Sequence, residues 1–160
     1  HAHNALVLTN DNFQLFTSDL ISDKMIYDKD IARKNIFPTC SVVFRKSALK
    51  VLPEWFQNIY LGDWVIYLLL LQSGKAMFSP QIMSVYRVHA GSVWSSSSKE
   101  AQLSRTINCI QYMHDYFNGK YVEEMSNYID EIKNELDHLV KYNKDSFGDK
   151  LKRKLRLLLT

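Results

Sequence analysis

The stretch LGDWVIYLLLLQSGKAMFSPQIMSVYRVH, residues 61–89, carries the strongest structural signals of the chain. It opens with Gly62-Asp63, continues with an unbroken apolar run and then reaches Gly74. Aspartate is favoured where a helix begins and glycine just beyond its end. We therefore expect a buried helix over residues 64–72.

The second half of this stretch favours β-structure. Residues 76–78 and 82–88 predict two short strands, with a Ser-Pro pair between them. Upstream, residues 3–9 and the run TCSVVFR at 39–45 predict two more strands. Together with the helix they predict an α/β fold. The strands are few, so we expect part of a mixed sheet, whose edges would stay open if nothing paired with them.

Beyond residue 98 the pattern is helical only. Apolar residues recur at helical spacing through 103–117 and again through 122–139, on either side of an Asn118-Gly119 turn. The two series predict a helical hairpin. The second series is close to heptad spacing, which also suits a surface that binds another helix.

These patterns divide the chain into an α/β part, residues 1–98, and a helical extension, residues 99–160. Weak helical spacing within 13–35 predicts one or two short helices in the first part. In the second, the basic and leucine-rich residues 147–159 predict a terminal amphipathic helix.

Composition excludes several classes of protein. At 160 residues, 46% hydrophobic and 23% charged, the chain is typical of a soluble globular protein. A net charge of +3 is too small to indicate nucleic-acid binding. No apolar run approaches the ~20 residues that cross a bilayer. Cys40 and Cys109 have no cysteine or histidine at metal-ligand spacing, which predicts two reduced thiols; the alternative is a disulfide between them, which no local pattern supports. The chain opens at His1 without a methionine, and we expect it to be a piece of something longer.

Asp63 is the first of three candidates for chemistry. A carboxylate in the first turn of a buried helix is held by free backbone N–H groups, which fixes its position. The alternative is a plain helix cap.

The second candidate is the strand end at Arg87 and His89, followed by the small-residue loop 91–98 with Trp94. Alternation places Arg87 and His89 on one face. The guanidinium suits phosphate or carboxylate, and imidazole can ligate a metal. The alternative is an edge strand with solvated side chains.

The third candidate is the pair Thr39 and Ser41. On a strand they share one face and could meet a sugar hydroxyl. The alternative is that they only line a sheet.

In this order, the patterns resemble bacterial family 2 glycosyltransferases of the GT-A fold. The resemblance covers residues 3–98 and matches no motif after them. Its runs are His3-Asn4-Ala5, IFPTCSVVFR at 36–45, LPEWF at 52–56, LGDW at 61–64, SGK at 73–75 and MSVYRVHAGSVWSS at 83–96.

The resemblance implies transfer from a nucleotide sugar with inversion, in the carboxyl-terminal half of the enzyme. It makes Asp63 the general base, within a GD variant of the family's acidic motif. His89 would touch a divalent metal, magnesium or manganese, in the full-length enzyme. The remaining residues expected to contact substrate are Gly62, Trp64, Arg87, Trp94, Thr39 and Ser41. For both tryptophans, core packing is an equal alternative.

The family's nucleotide-binding half and its metal-binding Asp-x-Asp motif are missing from this sequence. Asp28-Lys29-Asp30 matches the letters only, because no apolar strand precedes it, and we expect a structural, solvated role for it. No donor site would be complete, so the resemblance implies that the chain alone is inactive and lacks the metal.

The expected partners are a nucleotide-sugar donor and a glycan or glycolipid acceptor, with no nucleic acid. We expect a cytoplasmic location. Residues 147–160 could reach the inner face of the plasma membrane, or pack on their own domain. A homo-oligomer is a further expectation, because apolar surface would be exposed where the missing half docks. The alternative function is a non-catalytic oligomerisation or interaction module built on the helical hairpin.

Overall fold

The computed structural model describes residues 1–142, with side chains described up to residue 139. The predicted terminal helix at 147–159 lies outside the described residues. The strands are β1 (Ala2–Thr9), β2 (Asn12–Leu15), β3 (Lys24–Ile26) and β4 (Ala76–Arg87), and the α-helices are α1 (Asp28–Arg33), α2 (Gly62–Leu71), α3 (Lys99–Tyr116) and α4 (Val122–Tyr142).

The four strands form one mixed sheet in the order β2-β1-β4-β3. Strands β1 and β4 run parallel at its centre, and β2 and β3 pair antiparallel at the two edges. Helices and a mixed sheet confirm the α/β expectation. The parallel pair comes from residues about 75 positions apart, and α2 lies in the connection between them.

Strand β4 is continuous where two strands were predicted. Its pairing with β1 jumps from Ser79 to Ile82 while β1 advances only from His3 to Asn4. The extra residues include Pro80, which has no N–H to give to the ladder. A bulge at this point absorbs the proline, so the strand continues past it.

The prediction of one or two short helices within 13–35 is confirmed by α1, although β2 and β3, which were not predicted, also fall in or next to this stretch. One further prediction over the α/β part is wrong. Residues 39–45 do not form a strand: Thr39–Ser41 is a 3-10 turn, followed by a single bridge between Ala2 and Val42. The backbone N–H and the hydroxyl of Ser41 both donate to the Pro38 carbonyl at 2.9 Å, which closes the turn.

The helical hairpin predicted after residue 98 is confirmed as two helices joined by a short turn. Asn118 and Gly119 adopt left-handed backbone conformations there, with φ of 49° and 71°. Helix α4 lies against α1 of the α/β part. Its apolar stripe is buried within this chain, at Met125, Ile129, Ile132 and Leu136.

One hydrophobic core joins the two parts of the chain. Phe78 of β4 and Leu68 of α2 belong to the same buried cluster as Ile110 of α3 and Ile132 of α4. The core therefore crosses residue 98, although composition changes there.

The Asp-x-Asp lookalike has a structural role, as predicted. Asp30 accepts a hydrogen bond from the Tyr27 backbone N–H at 2.9 Å at the start of α1. Asp28 accepts from the Tyr121 hydroxyl at 2.8 Å and from the Lys120 ammonium at 3.0 Å. Asp28 is only partly exposed, so it is less solvated than expected.

Titration of Asp28 links this contact to pH. Burial raises the pKa of the Asp28 carboxyl, but the hydrogen bonds from Tyr121 and Lys120 outweigh it, so the pKa lies below its ordinary value of 3.8. A folded-state pKa below the unfolded one stabilises the fold above the unfolded value, and this contribution is lost as pH falls through the folded value.

Replacing Asp28 by Asn should lower the free energy of unfolding at neutral pH by about 1 kcal/mol, because a charge-assisted hydrogen bond becomes a neutral one. Urea unfolding measures it, and the difference from wild type should shrink as pH falls below 3.8. Asp115→Asn, at an exposed position, is the control and should stay within about 0.5 kcal/mol. A cost that is the same at acid and neutral pH would contradict the linkage.

Several apolar side chains remain exposed on the sheet and the loops beside it. They include Phe13, Val43, Phe44, Ile82 and Val85. Among residues 1–142, no helix has both the length and the apolar character needed to cross a membrane.

Candidate active site

Asp63 lies in the first turn of α2 with both carboxylate oxygens held. Oδ1 accepts from the backbone N–H of Trp64 at 2.8 Å, and Oδ2 accepts from the Thr39 hydroxyl at 2.8 Å. The helix N-cap is Leu61, so Asp63 is the second helical residue, two positions beyond the cap. Two donors from separate segments fix the carboxylate in one orientation.

Gly62 has a steric role beside this carboxylate. A Cβ at position 62 would lie 2.9 Å from Cζ of the Phe56 ring, closer than real Cβ contacts come. The ring packs where an acidic side chain would have to start. A glycine at position 62 therefore goes together with the aromatic residue at position 56.

A cleft of about 480 Å³ opens beside Asp63. Its walls come from six regions of the chain: the end of the β1–β2 hairpin, the 35–39 segment, the start of α2, the β4 strand with its following loop, α3 and α4. The lining residues are Phe16, Asn35, Phe37, Pro38, Thr39, Tyr60, Leu61, Gly62, Asp63, Trp64, Tyr86, Val93, Trp94, Thr106 and Tyr128.

The helical extension holds the loop that carries Trp94. Gln102 of α3 donates to the Trp94 carbonyl at 3.1 Å and to the Ser97 carbonyl at 3.2 Å. Arg105 donates to the Ser97 hydroxyl at 2.5 Å and lies 3.9 Å from the centre of the Tyr60 ring. Helix α3 thus fixes two aromatic residues of the cleft wall, which no sequence motif indicated.

The cleft wall formed by Phe16 and Tyr86 is positioned by the β1–β2 hairpin. Asn4 is buried, and its side-chain amide donates to the Thr17 carbonyl at 2.8 Å. This contact positions the adjacent Phe16, whose ring meets Tyr86 edge-on with centroids 5.7 Å apart. The His3-Asn4-Ala5 run of the resemblance therefore acts on the cleft through the backbone of the hairpin.

Trp64 is a core residue more than a binding surface. Its side chain is buried, and its indole N–H donates to the Ile31 carbonyl of α1 at 2.6 Å. Trp94 is half-buried in the cleft wall.

Arg87, His89 and Ser41 lie outside the lining of the cleft. Both Arg87, at the end of β4, and His89, two residues later in the loop, are exposed. The Nδ1 atom of His89 accepts from the Gly91 N–H at 3.2 Å. Ser41 is fully buried and bonded to Pro38, because residues 39–41 form a turn rather than a strand. The structure therefore brings together Asp63, Thr39, Gly62, Trp64 and Trp94 of the predicted site.

Within the described residues, no group of three or more His, Cys, Asp or Glu side chains is placed to hold a metal ion. Metal binding by His89 stays a prediction.

The hydroxyl of Tyr67 lies buried one helical turn after Asp63. Burial raises its pKa, and the charge of Asp63 raises it further, while Thr39 lowers it. The Thr39 hydroxyl already donates to Asp63, and no described group gives the Tyr67 oxygen a hydrogen bond of normal geometry. Sequence reasoning missed this residue because an apolar helix gives no signal that its tyrosine hydroxyl is buried within reach of the charge of Asp63.

The two cysteines are free, as predicted, but their settings differ. Cys40 is exposed beside Thr39, whereas Cys109 is buried, with its sulfur 3.9 Å from the Leu61 carbonyl. Burial, and then the charge of Asp63, raise the pKa of the Cys109 thiol well above its usual range. Cys109 is therefore an inert packing residue behind the cleft.

Neither the models of known protein families, nor the curated proteins, nor the solved structures include a match to this chain.

Proposed function

We propose that this chain is the catalytic-base part of an inverting, nucleotide-sugar-dependent glycosyltransferase of the GT-A fold and family 2. The acceptor would be a growing polysaccharide or a glycolipid. The observation that carries the proposal is the Asp63 carboxylate, held at both oxygens beside an aromatic cleft. The reaction class is taken from the resemblance of residues 3–98 to family 2 glycosyltransferases.

In this reaction Asp63 removes the proton of an acceptor hydroxyl. The freed oxygen attacks the anomeric carbon of the donor from the side opposite the leaving group. The new carbon–oxygen bond forms as the bond to the nucleoside diphosphate breaks, and the diphosphate leaves with the electron pair. One carboxylate suffices for this single displacement, because the proton has one destination and no enzyme nucleophile is needed.

The Thr39 hydroxyl and the Trp64 backbone N–H hold the carboxylate as neutral hydrogen-bond donors. They fix its orientation toward the cleft, so the base does not have to be ordered in the transition state.

The complementary half of the enzyme would supply the nucleotide site. A divalent metal, magnesium or manganese, would stabilise the charge of the departing diphosphate. The described residues of this chain offer no cluster of ligands for it. By resemblance, Arg87 and His89 would face the diphosphate from the exposed end of β4.

The alternative of an interaction module rests on the near-heptad stripe of α4. That stripe is buried against the chain's own core, so packing accounts for its spacing. Self-association through the exposed apolar residues of the sheet remains a prediction, which sizing in solution measures. Membrane contact through residues 147–160 is also a proposal, and liposome co-sedimentation with and without these residues tests it.

The test of the function begins with the gene sequence immediately upstream. We expect it to encode an Asp-x-Asp motif after an apolar strand. The protein completed by that sequence should transfer sugar from a nucleotide sugar to an acceptor, whereas residues 1–160 alone should not. Transfer or nucleotide-sugar hydrolysis by the 160-residue chain alone would contradict the division of the site between two halves.

A further inference from the structure

The cleft beside Asp63 is nearly free of charge. Of its described lining residues, Asp63 is the one that carries a formal charge at neutral pH. The others are aromatic or aliphatic, or they present neutral hydroxyl and amide groups, as Thr39 and Asn35 do. A wall of this kind offers no ion-pair partner to an anionic ligand.

Two cations contact lining residues but do not line the cleft themselves. The Arg105 guanidinium lies over the Tyr60 ring and donates to the Ser97 hydroxyl at 2.5 Å. Lys34 lies 4.8 Å from the centre of the Tyr128 ring and pairs with Glu131 at 3.1 Å. Neither side chain lines the cleft.

A negatively charged group bound here would therefore meet the Asp63 carboxylate and find no cation among the described lining residues. Burying a charge away from water without a partner is costly, and a like charge nearby adds to that cost. A neutral sugar ring avoids both, because it presents an apolar face to aromatic side chains and hydroxyls to a carboxylate.

On the basis of the proposed function, we infer that the acceptor residue bound in this cleft is an uncharged sugar. Its apolar face lies against the aromatic wall that includes Trp94, and the reacting hydroxyl faces Asp63. Uronic acids and sulfated or phosphorylated sugars are excluded at this position. The diphosphate of the donor lies outside the cleft for the same reason.

The indole N–H signal of Trp94 in the NMR spectrum of the full chain tests this inference. The chain has three tryptophans, and Trp55, stacked on Tyr112, serves as an internal reference away from the cleft. Two matched pairs of probes differ only in charge at carbon 6: methyl glucoside with methyl glucuronide, and methyl galactoside with methyl galacturonide. Trp94→Ala assigns the signal, and the remaining two indole signals show that the variant is folded.

At least one neutral glycoside should shift the Trp94 signal with an affinity at least about tenfold above that of its uronate, the ratio expected for a like-charge contact that water partly screens. Asp63→Asn removes the charge and should bring the two affinities within about threefold of each other. A uronate that binds wild type as tightly as its neutral partner would overturn the inference.

The remaining outcomes separate this inference from the proposed function. If the completed protein transfers sugar but no neutral glycoside shifts Trp94, the acceptor binds elsewhere and the inference is wrong while the function stands. If neutral glycosides bind at Trp94 but the completed protein transfers nothing, the function is wrong and the cleft is a neutral-sugar binding site.

Discussion

Replacing Asp63 by Asn in the completed protein should reduce the rate of sugar transfer by about 10²- to 10⁴-fold, the usual contribution of a general base. Asparagine has nearly the same shape, and its amide oxygen can still accept from Thr39, but it cannot take up a proton. The loss should therefore appear in kcat, with little change in KM for the donor.

Two controls make this result specific. Asp115→Asn removes a carboxylate at an exposed position of α3 and should leave transfer unchanged. Thr39→Val removes the hydrogen bond to the base but keeps the base itself, so it should lower kcat less than Asp63→Asn does. Transfer by Asp63→Asn within about threefold of wild type would show that Asp63 is not the base.

Replacing Trp64 by Ala should lower the free energy of unfolding by about 3–5 kcal/mol, the range for large-to-small changes in a core. The ring is 1% exposed, meets Tyr128 of α4 edge-on, and its N–H satisfies the Ile31 carbonyl of α1. The substitution leaves a cavity and an unpaired carbonyl where α1, α2 and α4 meet.

Chemical denaturation followed by far-ultraviolet circular dichroism measures this loss. Trp94→Ala is the matched control, since this half-buried ring lies in the cleft wall, and it should cost less than about 1 kcal/mol. If the Trp64 variant unfolds in two steps, with part of the helical signal lost only at a higher denaturant concentration, the helices after residue 98 would be an independent domain. We expect a single transition, because one core spans both parts.

Local signals in the sequence predict the elements that local chemistry decides. The apolar run after Gly62-Asp63 gives α2, and the Asn118-Gly119 pair gives the turn between α3 and α4. The turn between β1 and β2 is formed in the same way by Asn10 and Asp11, both in left-handed conformations. In each case a residue with a strong conformational preference marks the boundary.

The errors lie where long-range contacts outweigh local preference. Residues 39–45 are rich in β-branched and apolar side chains, yet the Ser41 hydroxyl and N–H bond to Pro38, and the segment turns. Strand β4 runs past Pro80 because its partner β1 tolerates a bulge there. Neither a neighbouring strand nor its register can be read from the segment itself.

The site shows the same division. Asp63 could be found from its position at a helix start, and Trp94 from the loop that follows a strand. Gln102 and Arg105 of α3 and the buried hydroxyl of Tyr67 could not, because their roles depend on how distant segments pack. The local sequence thus indicates the candidate base, whereas the surrounding cleft depends on tertiary contacts.

The anomeric configuration of the product, read from its proton NMR spectrum before equilibration, tests the central claim most directly. A single carboxylate in the described cleft supports one displacement, so the product should have the configuration opposite to that of the donor. A product with the donor's configuration would require a different catalytic arrangement and would contradict the assignment of Asp63 as the base of an inverting transfer.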